Sequence, residues 1–222
     1  MAFCDEIEEK CAELRQAILK HPFVTGIGDG TLDLARFKFY VCQDYLYLIE
    51  YSRVLALAVS RANHLEAMGW FATLLDSTLN SEMKLHEEYC SQFGITRQDL
   101  LSTRIAPTTQ NYTQFLMNIA YQGSYPELVA ALVPCQWGYL EIGDHLSRQG
   151  FPKGFPIYRQ WIEMYSSTEF RELAEWLRKH TDQLATGEGV NTIERMQNAY
   201  SYSLRYEYMF WDMAYQCEKW PV

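Results

Sequence analysis

Residues 33–62 read DLARFKFYVCQDYLYLIEYSRVLALAVSRA. Phe37, Val41, Asp44, Leu48, Tyr51, Leu55 and Ala58 recur at alternating spacings of four and three, the period of one helix face. Thirty residues of this pattern are too long for a strand, and Asp33 supplies an N-cap, so the stretch predicts one long α-helix. Six of the seven face positions are apolar or aromatic. The seventh, Asp44, is a carboxylate in the middle of a core stripe.

Outward from this helix the same period recurs nearly throughout, with no convincing β-alternation. A first helix is expected from about Asp5 to Lys20, with Ile7, Cys11, Leu14 and Ile18 on one face. His21-Pro22 through Gly30 reads as glycine-rich turn. A helix from about Leu65 to Phe93 stops at Gly94, a short one follows Thr96, and Pro107 ends that region. The next runs from about Thr109 to Gln122 and closes at Gly123. Ser124-Tyr125-Pro126-Glu127 is a capping-box pattern opening a helix that lasts to Gly150. Phe151 to Pro156 is an expected loop, and Pro156 suits the first turn of a helix. Ser166-Ser167-Thr168-Glu169 and Asn191-Thr192-Ile193-Glu194 mark two further starts, separated by the Gly187/Gly189 break. The expectation is an all-α, single-domain helical bundle over residues 1–222, with seven or eight helices and no doubly wound sheet.

Of the 222 residues, 48% are hydrophobic and 21% charged, a globular balance with room for a sizeable core. A net charge of -9 disfavours nucleic acid and anionic membrane surfaces as partners. Met1-Ala2-Phe3-Cys4-Asp5-Glu6 is acidic and does not read as a signal peptide. The longest uncharged stretch, Ile105 to Pro126, carries Thr108, Thr109, Gln110, Asn111 and Gln114, which argues against a membrane span. Six scattered cysteines without a C-x-x-C pair predict reduced thiols in a cytoplasmic protein. The 16 tyrosines suit a core or pocket that needs polar handles on buried rings.

Two more stripes carry an interruption of the kind seen at Asp44. After Ser124 the face reads Leu128, Leu132, Cys135, Tyr139, Ile142, Leu146. In the last helix it reads Ile193, Met196, Tyr200, Leu204, Glu207, Trp211, Ala214. A lone buried carboxylate is costly unless paired or hydrogen-bonded. Taken singly, Asp44 and Glu207 could be structural, satisfied by an arginine or by tyrosine hydroxyls, and Cys135 a packed thiol. Three such residues on core faces, with Tyr47 three after Asp44 and Tyr139 four after Cys135, point instead to a site. Pro134 adds an expected kink before Cys135, freeing the Ala130 carbonyl for another donor.

These residues carry a resemblance. His21-Pro22-Phe23, Gly26 to Leu32, Arg36-Phe37-Lys38, Gln43-Asp44, Pro134-Cys135-Gln136-Trp137 with Tyr139, and Tyr206-Glu207-Tyr208 with Phe210-Trp211 resemble the TenA / thiaminase II family over essentially the whole chain. The resemblance implies a haem-oxygenase-like helical fold. It implies hydrolysis of the C–N bond at the C5 methylene of 4-amino-5-aminomethyl-2-methylpyrimidine, or of thiamin, giving hydroxymethyl pyrimidine for thiamin salvage. It further implies Cys135 as nucleophile, Glu207 as acid/base and Asp44 as the carboxylate that holds the aminopyrimidine. Tyr47, Tyr112, Tyr139 and Tyr165 would line the pocket. Relatives with glutamate at the cysteine position act on a formylated precursor, and this chain keeps the cysteine. No cofactor or metal is implied; the partners are a small pyrimidine and, in a homotetramer, further copies of the chain.

Two rival readings follow from the residues. A di-iron carboxylate protein would need inward Glu-x-x-His pairs, and a haem protein a histidine ligand. Here Glu82/His86 and Glu141/His145 are four apart and read as surface or packing pairs, while His21 reads as a turn or cap residue. A non-catalytic pyrimidine carrier or regulator would need Asp44 and the tyrosines but not Cys135; the acidic composition and absence of a basic helix count against DNA binding.

Overall fold

Amphipathic segments of ten to thirty residues, each with one apolar face, can bury those faces only against one another, and the chain packs as helices on helices. This computed structural model describes residues 2–154 and 156–221. Met1, Val222 and Phe155, the last within the expected loop, lie outside the described residues. Among the described residues there is no strand. The helices are α1 (Phe3–Lys10), α2 (Ala12–Leu19), α3 (Pro22–Asp29), α4 (Leu34–Arg61), α5 (Leu65–Ser77) and α6 (Met83–Gln92). After them come α7 (Arg97–Leu101), α8 (Pro107–Gln122), α9 (Tyr125–Gln149), α10 (Pro156–Tyr165), α11 (Thr168–Ala185) and α12 (Val190–Gln216).

The long helices follow expectation, and the caps explain their ends. Asp33 accepts from the Ala35 amide at 2.7 Å to open α4. Ser124 and Glu127 form the capping box of α9.

Four details differ. The first expected helix is two, broken at Cys11, whose φ of -101° and ψ of 13° leave the helical region. His21 to Gly30 is a helix rather than a turn. Pro22 sits at its first position, the His21 ring nitrogen accepts from the Phe23 amide at 3.2 Å, and Gly30 closes it in the left-handed region at φ 79°. Glycine content concealed that start and stop. Pro107 does not merely end a region but opens α8 at its first turn. The Leu65–Phe93 run is continuous but contains a π turn at Thr78–Glu82, which separates α5 from α6. With these divisions the described residues hold twelve α-helices, against the seven or eight expected.

Helix α9 is the axis. Every residue from Leu128 to Pro134 is buried, so this segment has neighbours on all sides, chiefly α12, α11 and α10. Helix α4 lies against α8, α5, α6 and α12. At Gly143 a side-chain Cβ would meet the Tyr165 carbonyl carbon at 2.6 Å. Only a glycine lets α10 approach α9 this closely, and that contact delivers the end of α10, with Tyr165, to the interior. No described helix is long and apolar enough to cross a membrane.

Candidate active site

Helices α4, α9 and α10, with the π turn and Phe170 of α11, surround a narrow cavity in which the centre of a water-sized molecule has about 10 Å³. Asp44, Tyr47, Tyr51, Glu82, Cys135, Gln136, Tyr139 and Tyr165 supply its polar lining. Asp44, Tyr47, Cys135, Tyr139 and Tyr165 are thus brought to one space, as the sequence expects. Glu207 and Tyr112 stand together just behind it, Tyr112 Oη donating to Glu207 Oε1 at 2.6 Å. Glu207 also lines a second cavity with Arg15, Pro134, Trp137 and Glu141, so it forms part of the partition between two spaces.

Asp44 is satisfied on two sides. Tyr40 donates to its Oδ2 at 3.1 Å, and His86 Nε2 lies 2.7 Å from the same oxygen. His86 is fully buried, and its Nδ1 is 2.8 Å from the Glu82 carbonyl oxygen. A carbonyl can only accept, so Nδ1 carries a proton, and the contact at Nε2 then holds one shared proton between imidazole and carboxylate. Burial opposes a charged ring, but the hydrogen bond and charge of Asp44, with the Glu82 carbonyl, raise the His86 pKa above its ordinary value. His86 and Glu82 are therefore part of the site, not the surface or packing pair expected. The overlooked signal was the α5–α6 stripe: Ala67, Phe71, Leu74, Thr78, Glu82, His86 are all buried, and two of them interrupt an apolar face as Asp44 does.

Steps of four residues drift about 40° around an α-helix each time. The wider π turn absorbs that drift between Thr78 and Glu82, keeping Glu82 and His86 inward; such turns recur at functional sites.

Cys135 keeps a little accessible surface while dense protein surrounds it at longer range. Burial, then the charge of Glu207, pushes its thiol well above the usual range, and the Tyr47 hydroxyl only partly opposes this. Burial likewise pushes Glu207 up to about 8, against the hydrogen bond from Tyr112 and the neighbouring Cys135 thiol. The resting site therefore holds a neutral thiol beside a carboxyl that keeps its proton until mildly alkaline pH. Helix α9 runs unbroken through Pro134. The outside donor at this turn is Ser203 Oγ, and it takes the Ala131 carbonyl at 2.6 Å rather than that of Ala130.

Three buried polar atoms on the lining have no hydrogen-bond partner within the protein: Tyr47 Oη, Tyr51 Oη and Gln136 Nε2. Unpaired buried groups are expensive, and a polar occupant of the cavity would satisfy them. Tyr139 and Tyr165 meet at 4.7 Å between ring centroids, and Tyr47 and Tyr112 at 5.1 Å, giving the cavity flat aromatic walls suited to a small ring. Tyr51, which the sequence places beside the three reactive residues, lines the cavity with Gln136 and Glu82, which it does not single out, and His86 stands behind Asp44. Among the described residues no group of three or more His, Cys, Asp or Glu side chains is arranged to hold a metal ion.

A family model described as TENA/THI-4/PQQC family matches residues 8–217. An "Aminopyrimidine aminohydrolase" of Halalkalibacterium halodurans is 41% identical over 220 residues, covering 99% of this chain and 98% of the relative. The solved structure of a "TenA homologue protein from P.horikoshii OT3" superposes with a TM-score of 0.88 at 29% identity, covering 97% of this chain and 99% of the other. A domain of unknown function from Shewanella denitrificans, described as having a heme oxygenase-like fold, superposes at 0.76 with 16% identity, over 96% of this chain and 92% of its own. The fold is therefore the haem-oxygenase-like helical one.

Proposed function

The chain belongs to the TENA/THI-4/PQQC family, and from that premise we propose that it hydrolyses the C–N bond at the C5 methylene of an aminopyrimidine, releasing hydroxymethyl pyrimidine in thiamin salvage. The observation that carries this reading is the closeness of a thiol, Cys135, to a proton-holding carboxyl, Glu207, beside a cavity that Asp44 also lines. The full-length relative named aminopyrimidine aminohydrolase supports the same substrate class.

Each part has a task that its chemistry fits. Asp44, held by Tyr40 and His86, pairs the amino and ring nitrogens of the pyrimidine, which lies between the tyrosine walls formed with Tyr47, Tyr112, Tyr139 and Tyr165. The Cys135 thiol gives its proton to the Glu207 carboxylate and adds to the ring, while Glu207 passes that proton to a ring nitrogen. The resulting enamine expels the amine from the adjacent methylene. Water adds to the exocyclic alkene, Glu207 takes back the ring proton, and loss of the thiolate restores the aromatic ring and then the thiol. The Cys135–Glu207 pair begins and ends with one proton, so the reactive form is the one left after Glu207 has ionised.

A homotetramer and a cytoplasmic location belong to the same reading. Exposed Tyr121, Tyr202 and Met209 on α8 and α12 support association, and all six cysteines being free thiols supports a reducing compartment. Light scattering on the purified chain measures the first.

Ammonia release from the aminomethyl pyrimidine and cleavage of thiamin, followed side by side, test the activity. Replacing Cys135 by Ser is expected to lower kcat/KM by at least ~10³-fold, since a hydroxyl is a far weaker nucleophile here. Unchanged ammonia release in that variant removes the thiolate mechanism. Absence of turnover of both compounds by the unaltered chain, with binding retained, favours a pyrimidine carrier.

A further inference from the structure

The steps above use one proton donor, and the reaction needs two. A ring nitrogen must gain a proton when the thiolate adds, and the departing amine must not leave as an amide anion. The cavity contains a second carboxyl that no step has used. Glu82 lies in the π turn, is 7% exposed and lines the same space as Cys135. Tyr165 of α10 and Thr78 of its own turn are polar neighbours that favour its charged form, and its backbone carbonyl is fixed by His86. The titratable groups facing it are Asp44 and Tyr51 of α4, His86 of α6, Cys135 of α9 and Tyr165 of α10. Among the described residues no lysine or arginine lines the cavity. The single cationic side chain at hand, His86, is committed to Asp44, so Glu82 must either hold its proton or face a positively charged occupant. Burial and the Asp44 charge push it up to about 7, against His86, Tyr165 and Thr78.

We propose that Glu82 is the acid that protonates the departing amine as its C–N bond breaks, and the base that then takes a proton from the water adding to the exocyclic methylene. This rests on the aminohydrolase reading. As the electron pair of the C–N bond moves to nitrogen, the Glu82 proton follows it, and neutral ammonia leaves a Glu82 carboxylate behind. When water oxygen bonds the methylene carbon, its proton returns to Glu82. The sum is amine plus water giving alcohol plus ammonia, with Glu82 restored. Glu207 serves the ring and Glu82 the leaving group, from different walls.

The test compares leaving groups. Thiamin, or an analogue with pyridinium on the methylene, carries a quaternary nitrogen that departs as a neutral heterocycle and needs no proton. Glu82→Gln, which keeps size and hydrogen bonding but cannot donate an acid proton, is expected to lower kcat/KM about 100-fold for the aminomethyl pyrimidine and less than about 3-fold for the quaternary substrates. Equal losses on both classes, or none on either, overturn the proposal. If Glu82→Gln does not fold, as judged by its melting curve, Glu82→Asp takes its place: a loss of about 10-fold confined to the aminomethyl substrate supports the proposal, and a loss shared by both classes overturns it. Failure of the aminohydrolase reading itself shows separately, as absence of turnover by the unaltered chain.

Discussion

On the α4 wall of the cavity, Asp44 accepts from a tyrosine hydroxyl and shares a proton with His86 at 2.7 Å. On the α12 side, Glu207 also accepts from a tyrosine hydroxyl, at 2.6 Å, but the groups acting on it are Asp44, Cys135 and Tyr112, with no cation among them. Both carboxyls are nearly inaccessible, at 3% and 4% exposure. Burial is therefore the same, and what differs is the partner. A cation lets a dry carboxylate stay charged, which suits holding a polar ring. Without one the carboxyl keeps a proton near neutral pH, which suits passing it on. Arg15 could have erased the difference from the neighbouring cavity, but it is held by Glu141 and Glu8.

Breaking the α12 side should cost most. Glu207→Gln is expected to reduce kcat/KM by about 10³-fold, within the usual range for a lost acid/base group. The pH profile sharpens the point. Below about 8 both members of the Cys135–Glu207 pair are protonated, and the reactive singly protonated form appears as pH rises. With a substrate whose leaving group needs no proton, kcat/KM of the unaltered chain should therefore rise with pH through about 8. In Glu207→Gln that limb should vanish. A limb that survives the substitution belongs to another group, and the assignment of the proton to Glu207 then fails.

Breaking the α4 side should show mainly in binding. His86→Asn removes the shared proton and leaves Asp44 buried without its cation. The expected outcome is a KM raised about 10-fold or more with a smaller change in kcat, because Asp44 holds the ring rather than reacting. The loss of a buried ion pair should also lower Tm by about 10 °C, taking ~3 kcal/mol for the pair in a domain of this size. A reduced Tm with unchanged KM would make His86 a structural residue only.

The contrast between the two walls was half legible in the sequence. Asp44, Cys135 and Glu207 stood out because each interrupts an apolar stripe, and helical period alone puts them inside. Their partners were harder to read. Tyr112 pairs with Glu207 across 95 residues and His86 with Asp44 across 42, and no local spacing encodes such distances. Glu82 and His86 do interrupt a stripe, but their four-residue step mimics an ordinary surface pair on a helix, and only the π turn turns both inward. Helix α3 was missed because its glycines suggest a turn, although Pro22 and Gly30 mark a start and a stop. Pro134 brings no donor to the Ala130 carbonyl, and the side chain that reaches this turn, Ser203 from α12, bonds the Ala131 carbonyl at a height that pattern reading does not contain.

The smallest effect separates the walls by their stability windows. Glu207 has its pKa raised from 4.5 to about 8 on folding, so the unfolded chain ionises first. Its contribution to stability is whole below pH 4.5 and is lost as pH rises through about 8. His86 is also raised, from 6.5, so its contribution is whole below 6.5 and is lost above it, through its folded value. Glu207→Gln should thus gain Tm relative to the unaltered chain across pH 4.5 to 8 and hold a constant difference beyond. Each kcal/mol recovered should read as about 2–4 °C. His86→Asn, though lower in Tm, should keep the slope of the unaltered chain from pH 4.5 to 6.5 and alter the slope only above it. Melting curves at half-unit pH steps resolve the two windows. If Glu207→Gln shows the same slope as the unaltered chain between 4.5 and 6.5, the Glu207 carboxyl ionises at an ordinary pH, and the difference between the two walls lies in something other than its missing cation.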